Sequence, residues 1–318
     1  MPPSSAEVEP APLFTEVADA PPGGAAHWVT APDGLRLRVG HWPHPRARGT
    51  VLIFPGRTEY IEKYGRDAGA LAERGYAAAA IDWRGQGISA RMQPDRLLGH
   101  VNRFADYQAD ADALMAYAEA VGLPRPYLLL AHSMGGCIGL RALMRGYATP
   151  RAVFSAPMWG IRMQALKRSA AWGLSALSKP LRFSHLLAPG QSSAPYVLGA
   201  DPADNTLTTD PDMLAWMKHQ IERHTDLALG GPSLHWLHEA LSETRALARM
   251  PAPEVPTLTF LGSEEAIVDP ARITARMARW PGGRLVTLEG AQHEVLMETP
   301  AIRTKVLDAI AAHFAETV

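Results

Sequence analysis

The 318-residue chain has one cysteine, Cys137, which excludes an internal disulfide. That residue reads as a small buried hydrophobe and not as a redox centre. An excess of either charge is also missing, since 31 Lys and Arg against 32 Asp and Glu leave a net charge of -1. With no basic tail and no basic-aromatic repeat to follow phosphates, a nucleic-acid partner is not expected. No apolar run reaches the roughly 18 to 20 residues of a membrane span. The Pro-rich start carries Glu7 and Glu9 but no basic region ahead of an apolar one. It therefore reads as a disordered tail over residues 1–25 and not as a signal peptide, with the cytoplasm as the default location. No internal repeat is visible.

What the chain does have is an alternation of strand and helix patterns, the signature of a mostly parallel sheet covered by helices. Residues 28–30 and 35–42 flank a Pro32-Asp33-Gly34 turn and predict an opening hairpin. Strands are predicted at 50–54, 76–81, 127–130, 151–155, 257–261 and 284–288, with helices at 59–74, 105–120, 133–145, 270–279 and 300–315. The rhythm fails over 157–250, which reads as a helical cap inserted over the sheet, between core segments 26–156 and 251–318. From Pro157 to Ala200 there is no Asp or Glu, while Arg162, Lys167, Arg168, Lys179 and Arg182 alternate with apolar residues. Such a segment suits a cap that packs its apolar side on the core, or one that also touches an anionic lipid surface.

The strand at 127–130 runs into Ala131-His132-Ser133-Met134-Gly135-Gly136. This is close to the G-x-S-x-G elbow, in which a serine held at positive φ projects its hydroxyl out of the sheet. Serine is un-ionised at neutral pH and needs a base. In the order Ser, acid, His, the best placed of twelve histidines is His293, on the loop between the last strand and the last helix. The acid is expected after strand 257–261; in the hydrolases whose elbow this serine resembles it commonly sits in a G-x-x-[DE]-x-x-V frame, and that resemblance implies Glu265. Asp269 is the rival, although its place before Pro270 suits a helix N-cap. The oxyanion that forms on the substrate needs preorganised donors. The amides of Met134, at a helix start, and Arg57, after strand 50–54, are expected to supply them. Gly56 would let the backbone approach the substrate, and Met158 and Trp159 are expected to line its site. The Arg57 side chain could reach a substrate phosphate or pair with Glu59 or Glu62. Asp82-Trp83-Arg84-Gly85-Gln86-Gly87-Ile88-Ser89 reads as a tight structural loop beside the site, and neither a dinucleotide fingerprint nor a metal-ligand set is evident.

Four segments carry a family resemblance: P-G-R-T-E-Y-I-E-K-Y at 55–64, D-W-R-G-Q-G-I-S at 82–89, H-S-M-G-G at 132–136 and Q-H-E-V-L-M-E at 292–298. With L-G-G-P-S-L-H-W at 229–236, the chain resembles the α/β-hydrolase family, and within it the monoacylglycerol lipase and bacterial lysophospholipase branch. The resemblance implies an eight-stranded, mostly parallel sheet with helices on both faces and a helical cap. It also implies hydrolysis of a single acyl ester on a glycerol-type lipid through an acyl-enzyme on Ser133, with no metal or organic cofactor. Pro55 stands where the family usually has histidine, and Ala131 where it has the first elbow glycine. A small lipid or ester substrate and peripheral contact with the inner face of an anionic membrane are the expected partners, with no obligate protein partner. Alternatives are an esterase or thioesterase for small soluble substrates, an aminopeptidase, and a non-catalytic binding protein on the same fold.

Overall fold

The computed structural model describes residues 9–316. Nine strands are formed: β1 Glu9–Ala11, β2 Ala25–Thr30, β3 Arg36–Trp42, β4 Thr50–Phe54, β5 Ala77–Asp82, β6 Tyr127–His132, β7 Ala152–Ser155, β8 Thr257–Gly262 and β9 Gly283–Leu288. They make one sheet in the order β1-β2-β3-β5-β4-β6-β7-β8-β9, antiparallel from β1 to β5 and parallel from β5 onward. The helices are α1 Thr15–Ala18, α2 Gly65–Glu73, α3 Tyr107–Ala120, α4 Ser133–Met144, α5 Ala165–Ser178, α6 Tyr196–Gly199, α7 Pro211–Arg223, α8 Leu234–Leu247, α9 Pro270–Met277 and α10 Pro300–Ala315.

Successive strand residues point to opposite faces, and helices cover both, which is why the central strands are continuous apolar runs. Leu52, Phe54, Leu129, Ala131 and Phe154 pack on one side; Val51, Ile53, Leu128, Leu130 and Val153 pack on the other. The stretch between β7 and β8 contains α5 to α8 and no strand among the described residues, only single bridges such as Ile161 with Val268. No described helix is long and apolar enough to cross a membrane.

Two expectations are corrected. The sheet has nine strands and not eight, and the segment read as a disordered tail is ordered from Glu9, while residues 1–8 lie outside the described residues. The physical reason is that the Pro-rich segment suits an edge strand, where a missing N–H is not needed. Its backbone is then held by the core: Pro12 C=O accepts from Arg38 Nη1 at 3.0 Å and Phe14 N–H donates to Glu62 Oε1 at 3.1 Å. Val17 C=O accepts from Trp216 Nε1 and Gln220 Nε2 of α7, so the segment also ties the core to the inserted helices.

Beneath that segment lies a fully buried ion cluster. Arg38 donates from Nε to Asp82 Oδ2 at 2.8 Å, and from Nη1 and Nη2 to the two Glu62 oxygens at 2.7 and 2.8 Å. Asp82 also accepts from the amides of Ile61 and Ile88, both at 2.9 Å, which fixes the loops after β4 and β5 together. Gly87 has φ +50°, and a Cβ there would lie 2.0 Å from Asp82 Oδ2, so this position excludes any side chain.

Candidate active site

The elbow forms where β6 meets α4. Ser133 has φ +48°, a strained conformation for a residue with a side chain, and retains 8% exposure. The crowding that demands small neighbours has a specific source. A Cβ on Gly135 would lie 2.0 Å from Phe54 C=O, so the end of β4 presses on the first turn of α4. The methyl of Ala131 is accommodated by a different glycine, since a Cβ on Gly139 would lie 3.2 Å from Ala131 Cβ.

His293 reaches this serine from the loop after β9, with Nε2 2.9 Å from Ser133 Oγ and Nδ1 2.7 Å from Glu265 Oε2. Burial opposes the Glu265 charge, but His293 and the amides of Ile267 and Val268 together hold its pKa below the usual glutamate value. Asp269 does not meet the histidine. It caps α9 by accepting from Ala271 N–H at 3.1 Å and pairs with Arg168 at 3.1 Å. A hydroxyl, an imidazole and a carboxylate in this chain of hydrogen bonds can transfer the serine proton to Nε2 while the carboxylate stabilises the resulting imidazolium.

The loop after β4 is built around Gln86. Its Nε2 donates to Gly56 C=O at 2.9 Å and its Oε1 accepts from Thr58 N–H at 2.9 Å. Gly56 C=O and Arg57 N–H sit on opposite sides of one trans peptide, so holding the carbonyl turns the Arg57 amide the other way. The Gly56 amide is taken by Glu59 Oε2. Gly56 therefore contributes space and not a hydrogen bond to a ligand. Neither Arg57 N–H nor Met134 N–H has a protein acceptor among the described residues. Replacing Gln86 with Ala is expected to lower kcat for a soluble ester by roughly 10- to 100-fold with KM within about threefold, because loosening an oxyanion donor acts on the transition state. A raised KM with unchanged kcat would contradict this positioning role.

The sequence does not single out the buried cluster behind the histidine. Lys63 Nζ bridges Glu59 Oε1 at 2.6 Å and Glu294 Oε2 at 2.7 Å, and His132 Nε2 lies 3.2 Å from Glu294 Oε2. Burial works against charge on His132, but Glu294 and Glu59 overcome it and raise its pKa. Burial likewise opposes the Glu294 charge, yet His132 and Lys63 bring its pKa well below the usual value. The His132 and His293 ring centroids are 4.9 Å apart, so this cluster packs against the His293 ring. Glu59, His132 and Glu294 converge as metal ligands would, but the Lys63 ammonium already bridges the two carboxylates. All four residues fall in segments that carry the family resemblance, 55–64, 132–136 and 292–298, but only the four-residue spacing of Glu59 and Lys63 hints at a contact, and surface pairs share it.

Two further expectations are corrected. Trp159 does not line a substrate site: its indole N–H donates to Gly136 C=O at 3.1 Å, and its ring stacks on Trp280 and meets Phe154 edge-on. A buried indole needs a partner for its N–H, and the backbone of α4 supplies it. Met158 joins the same core cluster, and its amide donates to Ser133 C=O at 2.8 Å beneath the elbow. The Arg57 side chain pairs with neither Glu59 nor Glu62 but donates from Nη2 to Gly230 C=O at 2.5 Å. An open cavity of about 600 Å³, lined by residues including Met144, Pro150 and Met250, lies at the amino ends of β7 and β8, the opposite edge from Ser133.

The chain is similar to known proteins in sequence and in fold. Lysophospholipase L2 of Escherichia coli strain K12 is 33% identical over 293 residues, covering 88% of this chain and 83% of that protein. The probable lysophospholipase L2 of Haemophilus influenzae is 28% identical, covering 89% and 90%. In structure, a soluble variant of the monoglyceride lipase of Saccharomyces cerevisiae superposes with a TM-score of 0.71 at 19% identity, covering 91% of this chain and 94% of that one. The Hydrolase_4 model, serine aminopeptidase S33, matches residues 45–300. The chain belongs to this family, and is a serine hydrolase on the α/β-hydrolase fold.

Proposed function

We propose that the protein hydrolyses single-acyl glycerol lipids, lysophospholipids or monoacylglycerols, through an acyl-enzyme on Ser133. The observation that carries this reading is His293, bonded through one ring nitrogen to Ser133 Oγ and through the other to Glu265. His293 takes the hydroxyl proton as Ser133 attacks the ester carbonyl, and the amides of Arg57 and Met134 receive the oxyanion. The imidazolium then protonates the leaving glycerol oxygen. Water, deprotonated by the same histidine, releases the fatty acid and restores the serine. No cofactor is required for these steps. The similarity to lysophospholipase L2 supports the lipid class. The test is fatty-acid release from matched lysophosphatidylcholine and monoacylglycerol with the Ser133→Ala protein as blank. Release from either supports the reading, and release only from short-chain esters or thioesters overturns it.

The same proposal includes peripheral docking at the inner face of the membrane. Leu166, Leu177, Leu181 and Leu186 are 83%, 58%, 63% and 51% exposed in and after α5. Lys167, Lys179 and Arg182 are exposed beside them, and no carboxylate pairs with them among the described residues. Cations near an anionic surface contribute about 1 kcal/mol each, screened by salt. Vesicles with anionic lipid are expected to bind more tightly than neutral ones at low salt, and replacing the three cations with Gln should abolish the difference. Equal binding by the unaltered protein would overturn the docking.

A further inference from the structure

Arg57 is a half-buried cation without a carboxylate counter-ion among the described residues. Its Nε is fully buried and makes no hydrogen bond. Nη2 reaches only the carbonyl of Gly230, and the guanidinium lies 5.1 Å from the centroid of the Trp236 ring. No Asp or Glu pairs with it among the described residues, and the ionisable group that acts on it, the Tyr107 phenol, is itself held neutral by burial. Burial lowers its pKa to about 10, which still leaves it cationic at neutral pH. Arg38 and Arg84 near the site are neutralised, by Glu62 and Asp82 and by Asp33 and Asp110, while Arg91, which also has no carboxylate partner among the described residues, places Nε, Nη1 and Nη2 each on a backbone carbonyl, so that Arg57 differs from it in its unbonded Nε. The loops also make room for Arg57, since a Cβ on Gly99 would lie 2.3 Å from its Nη2. Buried charges are ordinarily paired, so an unpaired guanidinium beside a reaction centre is arranged for an anion that arrives with the ligand.

The position of Arg57 says which part of the ligand that is. Its amide faces the ester carbonyl in the reading above, while its side chain runs from that point toward the Gly230 loop. In a 1-acyl lysophospholipid the phosphorus is six bonds from the ester carbonyl carbon, about 7 Å when extended, a span close to the reach of an arginine side chain. A planar guanidinium also matches phosphate oxygens with two parallel donors. Resting on the monoacyl-lipid reading, we propose that the Arg57 side chain binds the phosphate of the leaving alcohol, which makes phosphate-bearing monoacyl lipids the preferred substrates over neutral glycerides.

The test compares kcat/KM for lysophosphatidylcholine and for monoacylglycerol of the same chain length in the unaltered protein, Arg57→Met and Arg57→Lys. The ratio of the two substrates is expected to fall roughly 10- to 100-fold in Arg57→Met, the loss of a charge-assisted hydrogen bond, and less in Arg57→Lys. An equal fall on both lipids would make Arg57 a strut between the β4 loop and the Gly230 loop and would overturn the proposal. In a second arm, the Ser133→Ala protein is titrated with a non-hydrolysable ether-linked lysophosphatidylcholine, the matching glycerol ether, and inorganic phosphate, with and without Arg57→Met. Arg57-dependent binding of the phosphate lipid alone supports the subsite. Arg57-dependent binding of inorganic phosphate at the same concentration would assign it to free phosphate. If the unaltered enzyme cleaves monoacylglycerol but not lysophosphatidylcholine, the subsite is wrong and the monoacyl reading stands. If it cleaves neither, that reading falls and the binding arm still decides the subsite. If Arg57→Met does not fold, Arg57→Lys carries both arms: a fall of the ratio with weaker binding of the phosphate ether lipid and unchanged binding of the glycerol ether supports the subsite, and an equal loss on both lipids or no change on either overturns it.

Discussion

Replacing Ser133 with Ala is expected to lower kcat for any ester substrate by about 10⁵- to 10⁶-fold while leaving the fold intact. The magnitude follows from how the three side chains act as a unit. His293 Nε2 is 2.9 Å from Ser133 Oγ, so removing the hydroxyl leaves a base with no nucleophile to activate. The residual rate would come from bound water, helped only by the amides of Arg57 and Met134. Alanine also fits: its methyl keeps the Cβ already at φ +48°, so no new strain is introduced. Steady-state assay of the purified variant, with a melting curve to establish folding, decides the matter. Activity within about a hundredfold of the unaltered protein would remove Ser133 from the chemistry.

The second large effect concerns stability. Arg38→Met is expected to destabilise the protein by about 3 to 5 kcal/mol, because it leaves Glu62 and Asp82 as buried carboxylates with no cation. Arg38, Glu62 and Asp82 are each 0% exposed, and Arg38 also holds Pro12 C=O. Burial alone would penalise the Arg38 charge, but Asp82 and Glu62 outweigh it and raise its pKa. Glu62 is pushed up by burial, with Arg38 opposing, so removing the arginine would leave it to take a proton or to admit water. Loss of this centre releases the edge segment from Glu9 and the anchors of the loops after β4 and β5 together. Urea unfolding measures the change, and a loss under about 1 kcal/mol would mean that the cluster contributes little beyond its own desolvation.

The sequence is most legible where a single residue type answers a single constraint. The elbow could be read because a strand ending in Ser133 with Gly135 two places on has few other uses. His293 could be read from its place after the last parallel strand. The choice between Glu265 and Asp269 could be posed, and the Pro270 that follows Asp269 already pointed to the cap that it forms. Residues defined by what they meet across the fold were less legible. Gln86 sits in a loop whose glycines drew attention to its turn, but its clamp on Gly56 and Thr58 exists only once β4 and β5 lie side by side. The ion cluster around Lys63 joins residues 231 positions apart. Trp159 follows β7 closely enough to be read as a pocket residue, and only the placement of Trp280 and α4 shows that it belongs to the core. The Pro-rich start misled because composition registers the lost N–H of Pro10 and Pro12 and not the carbonyl that Arg38 needs.

The central claim is that acyl transfer passes through Ser133 Oγ. Its most direct test is intact-mass measurement of the protein quenched with acid during the burst phase of a long-chain p-nitrophenyl ester, followed by peptide mapping. A mass increase of one acyl group is expected, located on the peptide that contains Ser133, absent from Ser133→Ala and lost on standing in water. Turnover with no acylated protein, or an acyl group carried on another residue, would contradict it.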